Sequence, residues 1–124
     1  MFSISHKYVV FKEISKKSQF TCSPFLRVCL TLHESSWNTQ ARGGPNSDGS
    51  YDNGLFQIND RYWCGESGAA GDCNIACSAL RDDSISDDCQ CASLIYSRMG
   101  FNAWYGWINY CEGQSISDAV SHCL

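Results

Sequence analysis

Two carboxylates sit in unlike surroundings along this chain. Glu34 lies in Leu30-Thr31-Leu32-His33-Glu34-Ser35-Ser36, a more apolar context that pushes a carboxyl toward its neutral form. Asp52 lies in Asn46-Ser47-Asp48-Gly49-Ser50-Tyr51-Asp52-Asn53-Gly54-Leu55-Phe56-Gln57-Ile58-Asn59, amid Asp48, Ser50, Asn53, Gln57 and Asn59. Hydrogen-bond donors around a carboxylate favour the anion. One proton donor beside one anion is the pairing that acid–base cleavage of a bond requires. Each residue also has a plainer reading. Glu34 would then be a surface helix residue, and Asp52 the ordinary turn aspartate found beside Asn-Gly.

The elements that must position these two residues are marked in the sequence. Ser23-Pro24 is a cap followed by a first-turn proline, and Phe25, Leu26, Val28, Cys29 and Leu32 continue as a helical stripe. Glu34 falls near the carboxyl end of that helix, which also disfavours the anion. Asp48-Gly49 and Asn53-Gly54 supply the positive φ of tight hairpin turns, so residues 41–59 predict a small antiparallel sheet with Asp52 between its turns. Residues 60–77 carry three cysteines and little periodicity, which predicts a loop pinned by bridges. Ser86-Asp87-Asp88 opens another helix through Cys91, Ala92, Leu94, Ile95 and Met99, ended by Gly100. Phe101, Trp104, Tyr105, Ile108 and Cys111 predict a further helix, and Val10, Phe11 and Ile14 a short one over residues 8–18. The class is α+β, helix-dominant.

The 124 residues suffice for one domain, and 44% hydrophobic content predicts a folded chain. A net charge of −4 argues against nucleic acid and anionic membranes as partners. No apolar run reaches the ~20 residues of a membrane span. Tyr8-Val9-Val10-Phe11 is shorter than a secretory core of about 7–15 residues, so Met1 begins either a mature chain with an added start or an incomplete gene model. Nine cysteines point to a secreted, disulfide-stapled protein, and the odd count leaves one over or paired between chains. Zinc is disfavoured because no Cys-x-x-Cys pair is present.

Three blocks carry a resemblance to the C-type lysozymes and their non-catalytic relatives, the α-lactalbumins. They are Ser47-Asp48-Gly49-Ser50-x-Asp52-x-Gly54-x-x-Gln57-Ile58-Asn59, Cys73-x-x-x-Cys77-x-x-Leu80 with Cys91 following, and Asn102-Ala103-Trp104-x-x-Trp107. The resemblance runs from about Cys29 to Cys123. It implies a lysozyme-like fold, with a helical lobe over about 1–36 and 85–124 and a sheet-and-loop lobe over about 37–84. C-type lysozyme is the type case of glycoside hydrolysis by two carboxylates, so the mechanism here is implied by resemblance. Glu34 would be the general acid and then the base. Asp52 would be the nucleophile or stabilising anion, supported by Asp48, Ser50 and Asn59. Trp104 would be the apolar wall beside Glu34. Asn46, Gln57, Asn59, Tyr62, Trp63, Ala103 and Trp104 would contact sugar. The implied substrate is peptidoglycan or chitooligosaccharide, the implied state a secreted monomer, and catalysis would need no cofactor. The alternatives are a non-catalytic α-lactalbumin-like regulatory module and a sperm-surface or other carbohydrate-binding relative.

The same resemblance implies bridges Cys29–Cys111, Cys64–Cys77 and Cys73–Cys91. The family's fourth bridge would join Cys123 to a first-helix position near Tyr8, where no cysteine stands. Cys22 and Cys89 are additional, and the pairing of Cys22, Cys89 and Cys123 stays open. On residue type alone, Trp104 and Trp107 are equally helix-face core residues, Tyr62 and Trp63 could cover a loop, and His33 reads as structural. For Trp107 the core reading is preferred.

Ala79-x-x-Asp82-x-Ser84-x-x-Asp87-Asp88 resembles the calcium loop of α-lactalbumins and calcium-binding lysozymes. Side chains of Asp82, Asp87 and Asp88, and the carbonyls of Ala79 and Ser84, would be the ligands of a structural Ca²⁺. Hard oxygen donors suit that ion. The plainer reading is that Asp87 and Asp88 favour a helix amino end.

Overall fold

The computed structural model describes residues 24–113. Helix α1 spans Pro24–Ser35 and helix α2 spans Ser86–Met99. Between them lie three two-residue strands, β1 (Arg42–Gly43), β2 (Asp52–Asn53) and β3 (Ile58–Asn59), then a 3-10 turn at Cys77–Arg81. The sheet runs β1-β2-β3, antiparallel throughout, with Gly43 opposite Asp52 and Asp52 opposite Asn59. The expected helix over 8–18 and the pairing of Cys22 and Cys123 lie outside the described residues.

Helix α1 stops where the chain turns left-handed. Ser36 has φ 53° and Trp37 φ 60°, while Ser36 N–H donates to Leu32 O at 2.8 Å. A tryptophan tolerates that backbone only when something holds it there. Trp37 is fully buried in the core with Leu30, Leu55, Phe56, Ile58 and Leu80. The same cluster takes in Ala92 and Ile95 of α2, so both helices and the sheet share one core.

The turns differ from the two-residue hairpins that the dipeptides predict. Asn53 is a strand residue facing Ile58, and the turn is Gly54–Gln57, closed by Gln57 N–H to Gly54 O at 3.1 Å. Asp48-Gly49 completes a turn whose Gly49 N–H returns to Asn46 O at 2.9 Å, inside a longer β1–β2 connection. Gly54 still has to be glycine. Its φ is 75°, and a Cβ there would lie 1.7 Å from Leu80 O. Gly54→Ala should therefore cost at least about 2 kcal/mol in denaturant unfolding.

The continuous helix expected across Phe101–Cys111 is broken. A 3-10 turn covers Gly100–Ala103, Trp104 is extended (φ −119°, ψ 120°), and a π turn follows at Trp107–Cys111. The break has a physical cause. Trp104 leaves the helical path with its indole N–H on Phe56 O at 2.9 Å. Of Trp107 only the backbone is described, so the expectation of a core ring lies outside the described side chains.

Among the described residues three bridges fasten the frame: Cys29–Cys111, Cys64–Cys77 and Cys73–Cys91, with Cα–Cα separations of 5.8, 5.1 and 5.4 Å. The first ties α1 to the π turn, and the others tie the 60–77 loop to itself and to α2. Among the described residues no helix is long and apolar enough to cross a membrane.

Candidate active site

Glu34 sits in the last turn of α1, half-buried. Its Oε1 accepts the Gly106 N–H at 2.7 Å. That amide opens the segment after Trp104, where helix N–H groups have no partner of their own. A Cβ on Gly106 would lie 2.9 Å from Glu34 Oε1, so the glycine makes room for the carboxyl. Burial raises the Glu34 pKa above the ordinary carboxylate range. The Gly106 hydrogen bond works against that, and the Asp52 charge adds to it.

Two polar contacts hold α1 and the Trp104 segment to the Gly54–Gln57 turn. Ser35 Oγ donates to Leu55 O at 2.7 Å, and Trp104 Nε1 donates to the next carbonyl, Phe56 O. Adjacent carbonyls of one turn are thus held by the residue after Glu34 and by the residue two before Gly106.

Asp52 lies on the central strand with one amide on each oxygen. Asn46 Nδ2 donates to Oδ2 at 3.1 Å and Asn59 Nδ2 to Oδ1 at 2.9 Å. Both amides also reach Ser50 Oγ, at 3.0 and 2.9 Å. A hydroxyl has one proton and two lone pairs. The Ser50 proton goes to Asp48 Oδ1 at 2.5 Å, so its lone pairs face the two amides. Asp48 is in turn held by Ser50 N–H at 2.9 Å and Arg61 at 3.0 Å. The Ser50 hydroxyl and amide, followed by Arg61, bring the Asp48 pKa down to about 2. The direction of every proton in the network thus traces back to an anion two shells from Asp52.

The residues expected to touch sugar are placed as follows. Tyr62 is 57% exposed, with the Arg61 guanidinium 5.4 Å from its ring centroid. Trp63 is half-buried, with Arg98 at 5.9 Å. Their carbonyls accept the N–H groups of Asp72 and Cys73, so the Cys73–Cys91 bridge steadies both. Arg98 also pairs with Asp72. Asn46 is exposed and Ala103 half-buried beside Trp104. The Asn59 amide is fully engaged, since its Oδ1 takes Arg61 N–H at 2.9 Å. Gln57 Nε2 donates to Gly54 O at 3.0 Å, within its own turn. Trp104, expected among the sugar contacts, is only 4% exposed, and its indole proton is spent on Phe56. It packs behind the site as core and does not offer an open ring.

Sequence reasoning missed Gly106, Ser35 and Arg61. Gly106 acts through its own main-chain N–H and Ser35 on a main-chain carbonyl, both across separations in sequence that no spacing reveals. Arg61 was findable as the basic residue following the Asp52 block.

A second cluster lies at the start of α2. Carboxylate oxygens of Asp82, Asp87 and Asp88 all lie within 4.8 Å of one another. Asp88 is fully buried, and neither of its oxygens meets a hydrogen-bond donor among the described residues. Burial and the neighbouring Asp87 and Asp82 push its pKa up to about 9. Ala79 lies in the 3-10 turn, half-buried, and Ser84 is exposed between that turn and α2.

Comparison with known proteins decides the lineage. The model of the C-type lysozyme/alpha-lactalbumin family matches residues 7–123. The chain belongs to this family. It is 50% identical over 97 residues to lysozyme c-1 of Anopheles gambiae, covering 78% of this chain and 68% of that protein. It is likewise 50% identical over 97 residues to a lysozyme of Galleria mellonella, covering 77% and 79%. Among solved structures, canine milk lysozyme superposes with a TM-score of 0.79 at 35% identity, over 100% of this chain and 98% of that one.

Proposed function

We propose that the chain is a secreted C-type lysozyme that hydrolyses the β-1,4 linkage between N-acetylmuramic acid and N-acetylglucosamine in peptidoglycan, with retention. The observation that carries this reading is the contrast between its two carboxyls. Glu34 is half-buried with a raised pKa, while Asp52 lies in a network of amide donors on the central strand. Glu34 protonates the departing glycosidic oxygen and later takes a proton from water. Asp52 meets the positive charge that develops on the sugar ring, as nucleophile or as anion. Asn46 and Asn59 hold Asp52, with Ser50 and Asp48 setting their direction. Tyr62 and Trp63 are the aromatic platforms for sugar faces. Clearing of a bacterial wall suspension, read beside chitooligosaccharide cleavage, tests the reading. A chain that binds oligosaccharide but cleaves neither substrate would be a binding module in the manner of α-lactalbumin.

Ser50→Ala removes the hydroxyl that orients both amides. The expected result is a fall of about two- to tenfold in kcat on chitohexaose, one hydrogen bond's worth. An unchanged kcat would show that the amides hold Asp52 without it.

The net charge of −4 gives no long-range attraction to polyanionic bacterial walls. This favours a digestive role, or work at low pH, over broad antimicrobial action.

The acidic cluster fits a structural calcium ion. Its ligand atoms are hard oxygens, and the buried Asp88 carboxyl accepts no hydrogen bond among the described residues, so a cation would be the partner that lets it ionise. Asp82, Asp87 and Asp88, with the Ala79 and Ser84 carbonyls, would hold the ion. It would neutralise the cluster, and no catalytic step depends on it.

A further inference from the structure

We propose that the groove between the 72–75 segment and α2 holds the amino-bearing side chain of the stem peptide that peptidoglycan carries on N-acetylmuramic acid. This rests on the glycosidase reading above and extends it from the glycan to the peptide hanging from it. The groove encloses about 250 Å³, and neither Glu34 nor Asp52 lines it. Asp72 and Asp87 give it carboxylates, Asn74 and Gln90 give amides, and Ile75 and Leu94 give apolar surface. No lysine, arginine or aromatic residue lines it. A primary ammonium on an aliphatic stem needs that combination: an anion and amide oxygens for its N–H donors, and apolar surface for its methylenes. A sugar ring packs instead on aromatic faces, which the groove lacks. Asp87 also belongs to the acidic cluster at the start of α2. A divalent ion among those three carboxylates would still leave one negative charge beside the groove.

The groove backs onto the proposed sugar platforms. Asp72 N–H donates to Tyr62 O at 2.9 Å and Cys73 N–H to Trp63 O at 3.0 Å. Segments hydrogen-bonded in this way lie about 5 Å apart. Three extended peptide residues reach about 10 Å, so a stem that starts from a sugar on Tyr62 and Trp63 can cross to Asp72. The Cys73–Cys91 bridge ties the two sides of the groove together. Asp72 already pairs with Arg98, whose guanidinium lies 5.9 Å from the Trp63 ring centroid. A carboxylate has two oxygens and about four acceptor sites, so Asp72 can keep Arg98 and still accept from an ammonium.

The test uses the tripeptide L-alanyl-γ-D-glutamyl-L-lysine and its Nε-acetyl form as NMR probes on the intact chain. The free amine should shift the side-chain amide signals of Asn74 and Gln90 saturably. The acetylated peptide should bind about two- to fivefold more weakly, the worth of one exposed ion pair. No shift, or equal binding of the two peptides, would overturn the site. Uncrosslinked peptidoglycan, with and without acetylation of its amines, gives the activity arm, in salt that screens long-range charge. Acetylation should slow cleavage by the parent by about the same factor. Asp72→Asn and Gln90→Lys should no longer respond to acetylation, and Gln90→Lys should cleave chitohexaose as the parent does. Arg98→Ala breaks the same ion pair but keeps the carboxylate, so it should still respond. An Arg98→Ala chain that behaves like Asp72→Asn would overturn recognition of the amine and leave the glycosidase reading intact. Saturable shifts in a chain that cleaves no peptidoglycan would support the amine site and overturn the glycosidase reading.

Discussion

Glu34→Gln should reduce hydrolysis of chitohexaose and of bacterial walls by ~10²–10⁴-fold while oligosaccharide binding stays close to that of the parent. The amide keeps the shape of the side chain and can still accept the Gly106 N–H, which lies 2.7 Å from Oε1 in the parent. What it cannot do is deliver a proton to the glycosidic oxygen. The parent should also show a basic limb in its pH–activity profile that lies above the ordinary glutamate range. Burial raises the Glu34 pKa, so the acid form survives to higher pH and is lost as pH rises through that raised value. In Glu34→Gln this limb should vanish from any residual activity. Retention of more than about a tenth of parent activity would contradict the proton-donor role.

Removal of calcium should lower the thermal midpoint of the parent, and restoring it should bring the midpoint back. The gain at a hundredfold excess over Kd is about 2.7 kcal/mol, a shift of several degrees for a domain of this size. Asp87→Ala should lose the response, because it removes one of three converging carboxylates. The buried Asp88 is the reason to expect the ion to bind. Its oxygens have no donor among the described residues, so a cation would relieve a cost the fold otherwise bears. Catalysis per folded molecule should not change. A midpoint that is the same in EDTA and in added Ca²⁺ would remove the site.

What was legible in the sequence was local. Asp48, Ser50, Asn59 and Asp52 lie within one short block, and turn chemistry alone brings them near one another. The acids of the second cluster are equally close in sequence. The contacts that place Glu34 are not local. Gly106 reaches it across 72 residues through a main-chain N–H, which any residue type carries. Trp104 meets Phe56 across 48 residues, and that tertiary demand broke the helix that the apolar spacing through Cys111 suggested. Periodicity reports which face is apolar. It does not report that one ring must leave the helical path to reach a distant carbonyl. The Asn53-Gly54 dipeptide signalled a turn but not its length, because Leu80 and Asp88 crowd Gly54 from outside the hairpin.

The proposed division of roles, Glu34 as proton donor and Asp52 as the group that meets the sugar carbon, is tested most directly by the stereochemistry of the first product. Chitohexaose cleaved by the parent, followed by proton NMR at early times, should give the β anomer first, with the α anomer appearing only by later mutarotation. That is the outcome of a double displacement through Asp52. An α anomer formed first would mean that water attacks directly, and it would contradict the role assigned to Asp52.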